Sequence, residues 1–137
     1  MKPGRQNVDS SDLYERKVGG HKLYSHAVVA PIGRCVFISG QLARDVEGNI
    51  VGRGDMRTQL RQVGENLKAA LRAAGGSLDD VVKITTYATD LDEFFKHVDL
   101  RAEYFGKALP ASTAVQVARL SHPDFLVEIE AMAVIAA

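Results

Sequence analysis

Two glutamates, Glu128 and Glu130, sit in the apolar run LVEIEAMAV near the end of the 137-residue chain. In a strand, alternation puts both carboxylates on one face. Beside an apolar surface an unpaired carboxyl holds its proton more tightly than in water, which suits acid/base work; an arginine or lysine would instead make it an ion pair. Tyr24-Ser25-His26 precedes a β-branched run. The tyrosine hydroxyl there could orient a substrate or water, or the ring could simply pack. Ser39-Gly40 ends another run, where a backbone N–H and a hydroxyl could hold an oxyanion or make a turn. The histidines (His21, His26, His97, His122) are scattered, with no HExxH or HxH spacing and no cysteine partner, so no metal site is expected. P-loop, GxGxxG and GxSxG patterns are absent.

The elements that must carry these groups follow from periodicity. ERKVGG (15–20) is a short strand ending in a glycine pair, and HAVVA (26–30) and RCVFISG (34–40) are β-branched runs around Pro31-Ile32-Gly33, which suits a hairpin turn. Residues 55–74 place Met56, Leu60, Val63, Leu67, Leu71 and Ala74 at steps of three and four, an amphipathic helix capped by Asp55 and stopped by Gly75-Gly76. Gly64 inside it points to close packing on a neighbour. Ser77 with Asp80 predicts one capped turn, VVKITTYAT a strand, and Asp90 with Glu93 the start of a second helix with the stripe Phe94, Val98, Ala102 and Phe105. Pro110 opens the strand PASTAVQVARL, whose only charge is Arg119, and FLVEIEAMAVIA (125–136) is the last strand.

The predicted order is therefore β-β-β-α-β-α-β-β in one domain spanning residues 1–137. Two helices can cover one face of such a sheet but not both, yet the strands are apolar on both faces. A bare second face would expose an apolar patch that monomers avoid, so other copies of the chain are expected to cover it. Seventeen basic and seventeen acidic residues cancel, which argues against a nucleic-acid partner. The polar start MKPGRQNVDSSD has no apolar core of a signal peptide, and no window approaches a membrane span, so a cytoplasmic protein without membrane contact is expected. Cys35, the single cysteine, is expected to be a buried structural thiol.

YSHAVV (24–29), VFISGQL (36–42), AAGGSLDDVVKITTYATDL (73–91), LPAST…VQVARL (109–120) and VEIEAMAV (127–134) together resemble the Rid family, also called YjgF or endoribonuclease L-PSP-like proteins. The resemblance runs over nearly the whole chain in order. It implies a chorismate-mutase-like α/β subunit, a six-stranded mixed sheet with two helices on one face. Three subunits would form a homotrimer with a central β-barrel and three inter-subunit clefts. It also implies hydrolysis of small enamines or imines to a 2-keto acid and ammonia, with no cofactor.

The family's site transfers unevenly. Tyr24, Ser39, Gly40 and Glu128 match its pocket tyrosine, its Ser-Gly and its water-handling acid. The arginine that follows Pro-Ala in deaminases of the family, and grips the substrate carboxylate, is Ser112 here. The cysteine two residues on is Ala114, and Asp99 matches a pocket asparagine. Losing a charge-assisted contact of that kind costs about 2–5 kcal/mol, so 2-aminoacrylate is not expected as substrate; a larger or neutral imine, enamine or carbonyl ligand is. Arg44 and Arg119 are the candidate stand-ins, although alternation points Arg119 away from Ser112. The alternatives are a binding or interaction protein of the same fold that has lost catalysis, and an endoribonuclease or translation inhibitor.

Overall fold

The structure, a computed structural model, describes residues 4–137. The N-terminal third forms short ribbons: β1 (Gln6–Val8), β2 (Lys17–Val18), β3 (His21–Lys22) and β4 (Ala27–Val29), with β1 pairing β4 and β2 pairing β3. Then come β5 (Gly33–Gln41), α1 (Met56–Ala73), a 3-10 turn (Leu78–Asp80), β6 (Val81–Ala88), α2 (Leu91–Phe95), α3 (Val98–Phe105), β7 (Ala111–Gln116) and β8 (Val127–Ala136). The main sheet has four strands in the order β5-β8-β6-β7. β8 runs antiparallel to both neighbours, while β6 and β7 are parallel and joined through α2 and α3.

The six-stranded sheet expected above is thus a four-stranded sheet plus two ribbons among the described residues. Gly19 and Gly20, both at positive φ, turn the chain between β2 and β3, and β4 is taken by β1 instead of the sheet.

The first helix behaves as its spacing predicts. Asp55 accepts hydrogen bonds from the Thr58 backbone N–H at 3.1 Å and its hydroxyl at 2.9 Å. Met56, Leu60, Val63, Leu67 and Leu71 are buried, and Gly75 at φ 88 ends the helix while Gly76 N–H reaches back to the Leu71 carbonyl. The second helix is broken in two at Lys96 and His97, with Asp90 capping α2 through the Glu93 N–H. All three helices lie on one sheet face. There Ile84, Ala88, Val127, Ile129, Ala131 and Ala133 meet the α1 stripe, Phe94, Leu100 and Phe105 in one core.

The other sheet face has no covering layer among the described residues. Phe37, Met132 and Val115 are exposed on it, interspersed with Lys83, Thr85, Tyr87 and Glu130. Cys35 is exposed as well, which corrects the expected buried thiol. It shares the outward side of β5 with Phe37, and no helix packs there.

Gly64 marks the closest approach of α1 to α3. A Cβ at this position would lie 2.6 Å from the buried Tyr104 ring, whose hydroxyl donates to Glu65 at 2.6 Å. Gly64→Ala should therefore be destabilising despite a helix-propensity gain of about 1 kcal/mol, because overpacking costs about 1–3 kcal/mol. The expected readout is a lower urea midpoint with an unchanged slope; a raised midpoint would show that Tyr104 moves aside freely.

Candidate functional site

Glu128 is positioned by a buried amide. Gln59 of α1 donates to the carbonyls of Gly52 at 3.1 Å and Asp124 at 2.8 Å, and accepts from the Leu126 N–H at 2.8 Å. Leu126 is held from the other side by Thr89 N–H at 3.0 Å. β8 therefore starts from a fixed point, with Val127 and Ile129 in the core and Glu128 and Glu130 on the open face. Opposite Glu130, the β5–β8 register shifts between Ile38 and Gln41, so Ser39 and Gly40 form a bulge. The Glu128 carboxylate lies against the Gly40 backbone so closely that a Cβ there would overlap Oε2.

The two acids differ in their surroundings. Glu130 accepts a hydrogen bond from the Tyr87 hydroxyl at 2.7 Å. Glu128 makes no ion pair or hydrogen bond among the described residues of this subunit. Burial, and then the neighbouring Glu130, raise the Glu128 pKa above the ordinary carboxylate range. Ser39 is exposed beside it.

A second group forms around Ser112. Arg5 and Asn7 of the first segment, with Ser25, clamp the corner at 108–110. Arg5 donates to the Ala108 carbonyl at 2.7 Å and the Val81 carbonyl at 2.8 Å, and Asn7 and Ser25 donate to the Leu109 carbonyl at 3.0 and 2.7 Å. Leu109 is held at φ 44, a conformation that leucine rarely adopts, and β7 departs from this corner. Ser112 pairs with the core residue Ile84 and so faces the helices. Next to it is a cleft of about 280 Å³ lined by Arg16, Tyr24, Phe95, Arg101, Ser112 and Ala114, together with Val18, Leu23 and Leu91.

Within this cleft the Tyr24 hydroxyl accepts from the Arg16 backbone N–H at 2.9 Å and donates to the Tyr14 carbonyl at 3.3 Å. His26 is structural. Its Nδ1 accepts from Ser10 N–H at 3.0 Å, so Nε2 carries the proton and donates to the Tyr14 carbonyl at 3.0 Å.

The position at Ser112 is not short of cation. Arg101 of α3 reaches over the strand, and its Nη2 donates to Ser112 Oγ at 2.7 Å and to the Leu23 carbonyl at 2.9 Å. This removes the physical ground for expecting a neutral ligand. The proposed stand-ins are elsewhere: Arg44 stacks 4.7 Å above the Phe125 ring, and Arg119 donates to the Leu120 carbonyl. Asp99 does not line the cleft. It forms an exposed two-pronged pair with Arg57 of α1 at 2.7 and 3.0 Å, and Arg57 holds its pKa down at about 2. Sequence reading missed Arg101, although a signal exists. Arg101 stands three residues after Val98 and four before Phe105, where the apolar stripe would have continued.

The two groups cannot meet within one subunit. Neighbouring strands are about 4.8 Å apart, so β5 and β7 at opposite edges of the sheet are separated by about 14 Å. The groups also face opposite sides, with Glu128 on the open face and Ser112 toward the helices.

Comparison with known proteins matches this architecture. The sequence model of the family described as endoribonuclease L-PSP matches residues 16–135. A RutC family protein of Pyrococcus horikoshii is 48% identical over 110 residues, covering 80% of this chain and 85% of that protein. A 2-iminobutanoate/2-iminopropanoate deaminase of Dermatophagoides farinae is 35% identical over 98% of this chain and 99% of its own length. Among solved structures, a Rid protein of unknown function from Yersinia pestis superposes with a TM-score of 0.83 at 32% identity, covering 96% of this chain and 99% of that one. RidA of an Antarctic Psychrobacter superposes with a TM-score of 0.68 at 39% identity, covering 95% and 99%. The four-stranded sheet backed by helices on one face and the match over residues 16–135 lead to one conclusion: the chain belongs to the Rid family, the YjgF or endoribonuclease L-PSP proteins.

Proposed function

We propose that this protein is a cofactor-free imine and enamine hydrolase that works as a homotrimer, with each site assembled from two subunits. The observation that carries the reading is Glu128: a partly buried carboxylate with no partner among the described residues, set against a bulged Ser39-Gly40. A base for water needs this combination of an available lone pair and a raised proton affinity. Glu128 would take a proton from water as the oxygen adds to the imine carbon. Glu128 gives that proton to the nitrogen and then moves the adduct's hydroxyl proton there too, so the carbon–nitrogen bond breaks and ammonia leaves a carbonyl product. An enamine first becomes the imine by gaining a proton at carbon and losing one from nitrogen. Ser39 and the Gly40 N–H would hold the oxygen that gains charge. Tyr24, Ser112 and Ala114 would come from the neighbouring subunit and seat the rest of the substrate. The deaminase relative from Dermatophagoides farinae supports the same chemistry.

The exposed Phe37, Met132 and Val115 and the distance between the two half-sites both call for subunit contacts. Light scattering on purified protein should give three times the subunit mass, and a stable monomer that retains activity would exclude the shared site. Glu128→Ala should lower kcat on an imine substrate by about 10²–10⁴-fold with little change in KM, as for loss of a general base. An unchanged kcat would remove Glu128 from the mechanism.

The raised pKa also sets the pH dependence. A carboxyl that holds its proton more tightly is still neutral where ordinary glutamates have ionised. The acidic limb of kcat/KM should therefore lie above pH 4.5, the ordinary glutamate value, and be absent from the residual rate of Glu128→Gln. For stability the sign is the reverse of an ion-paired acid. The contribution of this group is present below its unfolded pKa and lost as pH rises through the folded one. Glu128→Gln should accordingly be more stable than the parent at neutral pH by urea unfolding.

A further inference from the structure

Two arginines of this subunit are withdrawn from solvent, and their surroundings differ. Arg5 is saturated. Its guanidinium donates to the carbonyls of Asp79, Val81 and Ala108 and to the Asn7 side chain, with Asp79 and Asp80 close enough to favour its charge. It closes a structural corner.

Arg101 has no such set. Among the described residues only Nη2 is engaged, on Leu23 and Ser112, while Nε is shielded from solvent with no hydrogen-bond partner there. Burial alone acts on it, lowering its pKa to about 10, and no carboxylate offsets that cost. It stays charged at neutral pH. Among the described residues no aspartate or glutamate lines the cleft it borders, whereas a second guanidinium does: Arg16, held 4.6 Å above the Phe95 ring. A buried cation without a counter-charge is expensive unless something anionic visits it. The remaining lining, including Val18, Leu23, Leu91 and Phe95, is apolar.

We propose that Arg101 is the carboxylate-binding and specificity-determining residue of this cleft, delivering from helix α3 the guanidinium that Ser112 lacks on the strand. Ser112 orients it through the 2.7 Å hydrogen bond. The ligand class is a small 2-imino or 2-oxo carboxylate with an apolar side chain. The imine part rests on the hydrolase reading above; the carboxylate part does not.

Binding separates the two. The test uses the intact protein and 2-oxobutanoate, the product that 2-iminobutanoate hydrolysis would leave, titrated by calorimetry, with 2-butanone as its uncharged counterpart. The parent should bind 2-oxobutanoate and Arg101→Gln should bind it at least about 30-fold more weakly, as for loss of one partner of a buried charge contact. 2-Butanone should not distinguish the two proteins. The double variant Arg101→Gln, Ser112→Arg returns a guanidinium to the same place from the strand. It should restore binding and, on 2-iminobutanoate, reverse a rise in KM at nearly constant kcat. The double variant also keeps the test decisive if the single variant does not fold. Equal 2-oxobutanoate affinity in parent and Arg101→Gln, failure of the double variant to bind, or absence of binding by the parent would each overturn the role of Arg101. Normal binding with no turnover of any imine would overturn the hydrolase reading and leave Arg101 as an anion-binding residue.

Discussion

The last strand is packed into the core along one side only, and the rest of the molecule is arranged around that asymmetry. Val127, Ile129, Ala131 and Ala133 are buried beneath the helices. Burying them fixes the register of β8 between β5 and β6, and a one-residue slip would turn the whole apolar set outward. With the register fixed, Glu128 and Glu130 have no choice of face. The buried amide of Gln59 sets where the strand begins, so the height of Glu128 along the sheet follows from helix α1.

What differentiates the two acids is local. Thr85 and Tyr87 stand opposite Glu130 and Glu128 on β6, and the Tyr87 hydroxyl is spent on Glu130. Glu128 meets the bulge instead. A residue with a side chain at position 40 would displace it, so the glycine is needed for close approach. Two residues of the same type thereby acquire different surroundings, and burial first and Glu130 second make Glu128 hold its proton more tightly than an ordinary glutamate.

Position 112 shows how an uncharged strand residue can hold a charge that belongs to another layer. Strand β7 leaves a corner that Arg5, Asn7 and Ser25 hold rigidly, with Leu109 in an unfavourable backbone conformation. α3 runs over that strand closely enough for a long side chain to span the gap. A guanidinium can come from either layer. Its source is invisible in the linear order of residues, because Arg101 and Ser112 are contacts of tertiary structure.

The sequence alone determined the elements and the faces. Periods of two and of 3.6 located the strands, α1 and its caps, because burial of one face is a local pattern. The same logic put Glu128 and Glu130 together, and resemblance along the chain led to the family. Only the tertiary structure decided three things. The 15–30 segment left the sheet for short ribbons, since strand pairing is settled by competition among distant partners. Asp99 turned out to be Arg57's partner, and Arg101 the companion of Ser112, since long side chains choose among groups brought near by packing. The groups around Glu128 and around Ser112 lie on opposite faces of one sheet, because strand order, which separates β5 and β8 from β7, is a global property that no stretch of residues encodes by itself.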